Sequence, residues 1–378
     1  MNYVCRLCGK TSPVSTPAYR CGCGGFLDIT PTEMFDRKSL AHRERNIWRY
    51  REAYNLPSGS APLTLGEGCT PLIERIVDGI PILFKLDFLN PSGSFKDRGA
   101  SVLVTYLRHL GIPSVVEDSS GNAGAALSAY SAAAGVGCTV YVPEYTPEGK
   151  TVQMRMYGSE VLKVPGKRQD ANEAAIRASE KIFYASHLWH PYFIMGLKSA
   201  AFELWEDLYG TPPDTVILPL GSGGYLEALF QGFDSLRRAG YTGWVPKLIG
   251  VQSIRCQPIH RAFEQGYENY AEVDVEVSAA EGIAVQRPPR ARAVLEAVRA
   301  SGGFTVVVGE EEILDASLRL ASMGLYVEPT SAVTLAAWRK LERSDREGAV
   351  LILTGSGLKS TAKYADLAGS PPPRSSSP

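Results

Sequence analysis

The chain has 378 residues, a formal net charge of −1, 44% apolar residues and 21% charged residues. A near-neutral charge gives no electrostatic reason to expect nucleic acid or an anionic membrane as a partner, and no apolar run approaches the roughly 18 residues of a membrane-spanning helix. The opening segment MNYVCRLCGK lacks the apolar centre of a signal peptide. We therefore expect a cytoplasmic protein of two or three domains.

The first 30 residues predict a small unit stabilised by a metal ion. Cys5, Cys8, Cys21 and Cys23 lie within 19 positions. The spacing of Cys5 and Cys8 is that of half a tetrahedral zinc site, although Cys21 and Cys23 are one residue closer than usual. So short a segment cannot bury enough apolar surface to fold alone, and in a reducing compartment clustered thiols indicate zinc more often than disulfides. We predict a structural zinc ion, with metal-free thiols as the alternative.

From residue 61 onward, short apolar strands rich in β-branched residues alternate with helices, a pattern typical of parallel sheets covered by helices. The predicted strands, the first of them a strand pair, are 79–88, 113–120, 138–143, 160–166, 183–185, 214–220, 247–253, 305–309 and 349–355. The predicted helices, one of which precedes this region, are 37–54, 97–110, 122–134, 147–158, 170–182, 191–208, 225–239, 310–323 and 331–342. The tail at 366–378 is rich in proline and serine, and we expect it to be disordered.

The segment NPSGSFKDRG places Lys96 where a turn meets a helix. Asn-Pro and Ser-Gly are turn dipeptides. A lysine amine attacks carbonyl groups only when it is neutral, and apolar surroundings or a cationic neighbour favour that form. Phe95 and Arg98 can supply these two influences. An ordinary lysine in the first turn of a helix is the alternative that this segment alone leaves open.

Two further segments each join the end of a strand to the start of a helix. SSGNAG, at 119–124, offers hydroxyl and amide groups at a helix N-terminus, where a substrate carboxylate is favoured. GSGG, at 221–224, lets backbone N–H groups approach a phosphate closely. Neither contains the G-x-G-x-x-G or P-loop pattern, which disfavours nucleotide binding. Taken singly, each segment is also compatible with an ordinary glycine-rich turn.

Taken together, these motifs resemble the tryptophan-synthase-β-like family of pyridoxal 5′-phosphate (PLP) enzymes of fold type II, and within it the threonine synthases. SFKDRG (94–99), SSGNAG, GSGG and LTGSGLK (353–359) follow one another in the order of that family, and the similarity covers about residues 60 to 360. The cysteine segment also resembles the zinc-ribbon-like extension of some relatives. The family is implied by the whole set, which is more specific than any one motif.

The resemblance implies a role for each motif residue. Lys96 would hold the cofactor aldehyde covalently and move protons during the reaction. The residues that would contact the cofactor are Phe95, Asn122, Gly221, Ser222, Gly223, Gly224, Tyr225 through its amide, Glu328 and Thr354. Those that would contact the substrate are Ser119, Ser120, Asn122 and His187. A hydroxyl at Thr354, in place of a carboxylate, would not hold the pyridine nitrogen protonated.

The implied fold is α/β, with two open parallel-sheet domains, PLP in the cleft between them, and a zinc-ribbon-like N-terminal unit. The implied divisions are a zinc-ribbon-like unit at 1–30, a large PLP-phosphate-binding domain at 31–95 and 199–365, a small substrate-loop domain at 96–198, and the tail at 366–378. The expected partner is a small amino-acid substrate, and a homodimer is the default for a soluble oligomer.

The implied activity is that of a lyase of threonine synthase type, which eliminates the γ-substituent of an O-phosphohomoserine-like substrate and adds water at Cβ. However, His187 and Leu188 stand in place of an Asn-Ser pair, and Phe193 stands in place of a phosphate-binding arginine. Losing that guanidinium removes a charge-assisted contact to phosphate. A β-replacement or β-elimination on a serine or cysteine derivative, of cysteine synthase, cysteate synthase or dehydratase type, therefore stays open. So does a non-catalytic PLP carrier.

Overall fold

The structure is a computed structural model that describes residues 1–30 and 33–365, so the tail predicted to be disordered lies outside the described residues. The strands are β1 (Asn2–Cys5), β2 (Thr11–Pro13), β3 (Leu27–Ile29), β4 (Leu72–Val77), β5 (Ile80–Lys85), β6 (Ser114–Glu117), β7 (Gly137–Pro143), β8 (Glu160–Val164), β9 (Phe183–Tyr184), β10 (Thr215–Pro219), β11 (Lys247–Ser253), β12 (Phe304–Val308) and β13 (Ala349–Ile352).

The α-helices are α1 (Lys96–His109), α2 (Asn122–Ala134), α3 (Glu148–Met156), α4 (Arg168–Ala178), α5 (Pro191–Leu197), α6 (Ser199–Asp207), α7 (Gly224–Arg238), α8 (Pro258–Glu264), α9 (Ala291–Ala300), α10 (Glu310–Ser322), α11 (Pro329–Trp338), α12 (Arg343–Arg346) and α13 (Thr361–Ala365). Five short 3-10 helices lie at Arg37–His42, Ile47–Tyr54, Asp87–Leu89, Glu281–Ile283 and Gly357–Lys359. Within the two described stretches, no helix is long and apolar enough to cross a bilayer.

The first compact unit comprises residues 1–69 and 90–199. Its main sheet has four parallel strands in the order β8-β7-β6-β9, and a smaller antiparallel sheet has the order β2-β1-β3. Val116, Val140 and Val142 are fully buried on the central strands β6 and β7. Helix α1 packs against α2 and α5, and α4 packs against β7. The carboxyl ends of β6 and β9 lie side by side, so the segments that follow these strands meet at one edge.

The second unit comprises residues 70–89 and 200–365. Its six-stranded sheet has the order β12-β11-β10-β13-β5-β4, and every pair is parallel except β4 with β5. Asp78 and Gly79, both at positive φ, form the two-residue turn of that β4–β5 hairpin. Buried Ile217, Ile249 and Leu351 belong to its core. The carboxyl ends of β10 and β13 are neighbours in this sheet.

The α/β class with parallel sheets is confirmed by both units, while several predicted elements differ. The helix predicted at 37–54 is two 3-10 helices, because Asn46 caps a new start at Ile47. The long helix predicted at 191–208 is divided at Lys198 into α5 and α6. The sequence also assigns 33–69 and 90–95 to the large domain, whereas the structure groups both segments with 96–199. The Trp48 indole donates a hydrogen bond to Ser101 Oγ at 3.1 Å, which attaches the segment to α1.

Candidate active site

The turn before α1 is closed by the side chain of Asp97. The Ser92 backbone N–H donates to Asp97 Oδ2 at 2.6 Å, and the Ser92 hydroxyl donates to Asp97 Oδ1. Gly93 has a φ of +88°, in the left-handed region that favours glycine. Asn90 Oδ1 accepts the Gly68 N–H at 2.9 Å. These contacts fix the turn so that Lys96 becomes the first residue of α1, one residue before the helix start predicted from the sequence.

Two aromatic rings flank the half-buried Lys96 side chain. Its Nζ lies 4.6 Å from the ring centroid of Phe95 and 5.8 Å from that of Phe193. A Cβ at Gly99 would lie 2.5 Å from the Phe193 ring, so the glycine of SFKDRG makes room for this phenylalanine. The residue in place of the expected arginine is therefore packed against the first turn of the lysine helix.

The SSGNAG segment folds back on itself between β6 and α2. A Cβ at Gly124 would lie 2.0 Å from the Ser119 carbonyl oxygen, so this close approach requires glycine. Ser119 is buried, Ser120 and Asn122 are half-buried, and no described side chain caps the helix that begins at Asn122. The N-terminus of this helix suits an anionic group of a ligand.

His187 follows β9 and contacts two acidic residues that the sequence analysis missed, Glu117 and Asp118 at the end of β6. His187 Nδ1 lies 2.8 Å from Glu117 Oε1. One imidazole nitrogen of His187 and one carboxylate oxygen from each of Glu117 and Asp118 lie within 4.8 Å of one another. Burial raises the pKa of Glu117 to about 7 and that of Asp118 above its usual range, while burial lowers the pKa of His187. In the sequence, the signal for Glu117 and Asp118 was a pair of acidic residues at the end of an apolar strand.

In the second unit, GSGG connects β10 to α7. Gly223 has a φ of +82°, and a Cβ there would lie 2.4 Å from Val294. No described side chain caps α7, whose first residue is Gly224. The Tyr225 hydroxyl donates to Asp87, so its side chain is engaged elsewhere and its amide lies in the first turn. A loop that excludes side chains before an uncapped helix fits a phosphate group such as that of PLP.

Thr354 follows β13, and its hydroxyl is held by Ser331, which the sequence analysis did not select. The two hydroxyl oxygens are 3.0 Å apart, and Ser331 Oγ also accepts the N–H groups of Thr354 and Gly355, each at 2.9 Å. Glu328 lies beside them, since a Cβ at Gly355 would come within 2.3 Å of its carboxylate. Because β10 and β13 are paired, the Thr354 and GSGG segments leave the same sheet edge.

The four N-terminal cysteines converge as predicted from their spacing. The sulfur atoms of Cys5 and Cys23 are 3.5 Å apart, those of Cys8 and Cys21 are 3.8 Å apart, and all four lie within 4.8 Å of one another. A tetrahedral zinc ion with Zn–S bonds of about 2.3 Å requires sulfur atoms about 3.8 Å apart. The donor set therefore fits zinc.

Parallel α/β units, a lysine at a helix start and a glycine-lined helix N-terminus together define the class of PLP-dependent enzymes of fold type II. The sequence matches the pyridoxal-phosphate dependent enzyme family over residues 63–355, and the chain belongs to that family. It is 37% identical to the threonine synthase of Methanocaldococcus jannaschii, over 94% of this chain and 92% of that one.

Two further relatives agree with this assignment. The threonine synthase of Methanosarcina acetivorans is 34% identical over 97% of this chain and 94% of its own length. The crystal structure of a threonine deaminase from T.th. superposes with a TM-score of 0.66 at 27% identity, over 76% of this chain and 92% of that chain. The chain is thus a PLP-dependent enzyme related to the threonine synthases, as its motifs indicate.

Proposed function

We propose that this enzyme carries out a reaction of threonine synthase type, in which an O-activated homoserine loses its γ-substituent and gains water at Cβ. The similarity to threonine synthases over more than nine-tenths of the chain supports this activity. The single structural observation that carries it is Lys96, fixed at the start of α1 by the Asp97-closed turn and flanked by two aromatic rings. When bound, PLP supplies the electron sink for removing the Cα proton.

Each predicted site residue has a proposed task. Lys96 holds the cofactor aldehyde and then moves the proton at Cα, as a neutral amine can. Thr354, oriented by Ser331, meets the pyridine nitrogen with a hydroxyl and leaves that nitrogen unprotonated. The residues proposed to bind the cofactor are Phe95, Lys96, Asn122, Gly221, Ser222, Gly223, Gly224, Tyr225, Glu328 and Thr354. Those proposed to bind the substrate are Ser119, Ser120, Asn122 and His187.

A β-elimination or β-replacement on a serine or cysteine derivative is the second candidate. Phe193 favours it, because its apolar ring cannot neutralise the phosphate of a phosphorylated substrate. Buried Glu117 and Asp118 also add carboxyl groups rather than cations on that side of Lys96. The two candidates differ in their products, since only the first yields threonine together with the released γ-substituent.

We also propose roles for the two units, a zinc site, a cellular location and an assembly. We propose that the unit of 70–89 and 200–365 binds the cofactor phosphate and that the unit of 1–69 and 90–199 carries the substrate loop. The converging sulfur atoms support a structural zinc ion at Cys5, Cys8, Cys21 and Cys23. The net charge of −1 supports a cytoplasmic enzyme without nucleic-acid or membrane partners. A homodimer is the default assembly for such an enzyme.

Covalent mapping tests the role of Lys96. Holoenzyme reduced with borohydride and digested should carry the pyridoxyl group on the peptide that contains Lys96, and Lys96→Ala should lose both the tag and the visible absorption of the bound cofactor. Lys163→Ala is the control, because this exposed lysine pairs with Glu148 on the surface. A tag on another lysine, or full activity of Lys96→Ala, would contradict the proposal.

Product analysis then distinguishes the two reactions. The holoenzyme should release phosphate from O-phosphohomoserine and form an equal amount of threonine. Formation of a keto acid from serine or threonine, or replacement at Cβ of O-acetylserine, with no threonine from O-phosphohomoserine, would establish the second candidate.

A further inference from the structure

His187, one of the residues proposed to bind the substrate, pairs with buried Glu117, which has no role in the proposed function. Both carboxylate oxygens of Glu117 face His187. Oε1 lies 2.8 Å from Nδ1, and Oε2 accepts the His187 backbone N–H at 3.3 Å. The Glu117 side chain is only 1% exposed and that of His187 is 9% exposed. Glu117 ends β6, and His187 lies three residues beyond the end of the adjacent parallel strand β9, so the sheet brings the two residues together.

Asp118, the neighbouring carboxyl group, is engaged in another direction. Its Oδ1 accepts the Tyr184 hydroxyl at 2.8 Å, and its Oδ2 accepts the Asn172 amide at 2.9 Å. Asp118 thus has structural partners in addition to its hydrogen bonds with Glu117, and Glu117 is the carboxyl group that contacts the imidazole. Because Nδ1 faces Glu117, Nε2 is the nitrogen that remains, and no described residue donates a hydrogen bond to it or accepts one from it.

The imidazole lies on the Lys96 side of the unit. The ring centroids of His187 and Phe193 are 6.0 Å apart, and Phe193 is itself the ring beside Lys96 Nζ. Burial lowers the pKa of His187, and the positive charge of Lys96 lowers it further. An acid or base at Nε2 would therefore face the neighbourhood of the lysine.

The surrounding charges decide where the proton of the pair rests. Burial raises the pKa of Glu117 to about 7, and Asp118 and the His187 amide oppose this through hydrogen bonds. For His187, burial and the charges of Lys96 and Arg168 lower the pKa, while Asp118 raises it. Tyr184 contacts only the Asp118 side of the cluster. Below about pH 7 the proton of the pair therefore rests on Glu117, and the imidazole is neutral.

We infer that Glu117 and His187 form a proton-carrying pair that serves the leaving-group end of the substrate through His187 Nε2. This inference rests on the proposed function. As the Cγ–O bond breaks, its electron pair goes to the departing oxygen, Nε2–H donates a proton to that oxygen, and Glu117 passes its own proton to Nδ1. When water adds at Cβ, Nε2 takes one proton from it and the Nδ1 proton returns to Glu117, so the pair ends as it began.

The leaving group explains why such a pair is useful. Phosphate that departs without a proton from a doubly charged monoester would be the trianion, a much poorer leaving group than hydrogen phosphate. A carboxylate leaving group is stable without a proton near neutral pH. His187 would be the catalytic residue and Glu117 the positioning residue that restores its proton.

Histidine NMR tests the pair without relying on turnover. In ¹⁵N-histidine-labelled holoenzyme, the signal missing from His187→Asn should be that of a neutral imidazole throughout, with its proton on Nε2 while Glu117 is protonated and on Nδ1 once Glu117 is a carboxylate. Its Nδ1 shift should change between about pH 6 and 8, as Glu117 loses its proton, and Glu117→Gln should abolish that change. The buried His190 signal should be unaffected. A His187 that titrates alone near its usual pKa of about 6.5 in both proteins would overturn the inference.

Kinetics then tests the direction of proton transfer. Glu117→Gln and His187→Asn should slow phosphate release from O-phosphohomoserine by about 10²–10³-fold with little change in KM, the usual contribution of a general acid. Release of acetate from O-acetylhomoserine should slow far less, and Glu160→Gln, a surface change in the same sheet, should leave both rates unchanged.

Equal losses for both leaving groups, or no loss for phosphate, would refute the inference while leaving the proposed function intact. If wild-type enzyme forms no threonine, the proposed function fails by itself, and the NMR titration still reports whether the pair exists.

Discussion

Phe193 bears on the choice of substrate and leaves the surroundings of Lys96 apolar. Its ring packs where Gly99 leaves space and flanks Lys96, so the lysine keeps an apolar neighbour on that side. A guanidinium at this position would instead add a second cation next to the lysine. The cofactor residues are thus compatible with the substitution, and we propose that His187 and Glu117 take over the recognition of the leaving group.

The raised pKa of Glu117 makes the free energy of unfolding depend on pH. Burial raises its folded-state pKa to about 7, above the unfolded value of about 4.3. A raised pKa means that the folded state binds the proton more tightly, so this contribution is present below about pH 4.3 and is lost as the pH rises towards 7.

Glu117→Gln, which stays neutral, should therefore become more stable than wild type across that window, by roughly 1–3 kcal/mol at pH 8. Urea unfolding at several pH values measures the difference. Glu160→Gln should follow the wild-type curve, and parallel curves for Glu117→Gln and wild type would contradict the raised pKa.

At the scale of elements, the position of Lys96 depends on how closely α5 approaches α1. A Cβ at Gly196 would lie 2.1 Å from the Arg98 carbonyl oxygen, and the Arg98 guanidinium donates to Ser199 Oγ at 3.0 Å just beyond α5. This contact also explains the division of the predicted long helix at Lys198, because α5 follows α1 and α6 belongs to the other unit. Residue spacing alone carries no signal for such a tertiary constraint.

Gly196→Ala should force the two helices apart and destabilise the protein by roughly 1–3 kcal/mol, the usual cost of overpacking. The cofactor absorption should weaken as well, because Lys96 lies in the first turn of α1. Gly149→Ala is the matched control, since nothing lies near the corresponding Cβ in α3, and a solvent-facing change alters stability by at most about 0.5 kcal/mol. Both effects can be followed in one thermal melt monitored at the cofactor band, and equal melting of the two variants would contradict this account.

Across the whole molecule, local signals predicted the elements that precede each site segment, because apolar β-branched strands and glycine turns act over a few residues. They predicted α2 at Asn122–Ala134 and the strand before GSGG well. They did not predict α8, or α9 despite its amphipathic sequence ARAVLEAVRA, or the grouping of 33–69 with α1. Likewise Ser331 and Glu117 carry no motif, and only their distances from Thr354 and His187 reveal them.

The N-terminal sheet connects the four-cysteine cluster, the proposed zinc site, to the helix that carries Lys96. The Tyr3 hydroxyl of β1 donates to the Tyr106 hydroxyl of α1 at 2.6 Å, and Tyr106 donates to the Val14 carbonyl at 2.7 Å. Loss of zinc should therefore loosen a contact with α1 as well as the cysteine segment itself.

We expect one zinc per chain by elemental analysis. Cys8→Ser should lose that zinc and lower the melting temperature by about 5 °C, which corresponds to roughly 2 kcal/mol for a unit of this size. Cys138→Ser should keep the metal, because this cysteine lies on β7 among apolar residues far along the chain from the cluster. Full zinc content in Cys8→Ser, or its absence from wild-type protein made with ample zinc, would show that the four thiols converge for packing alone.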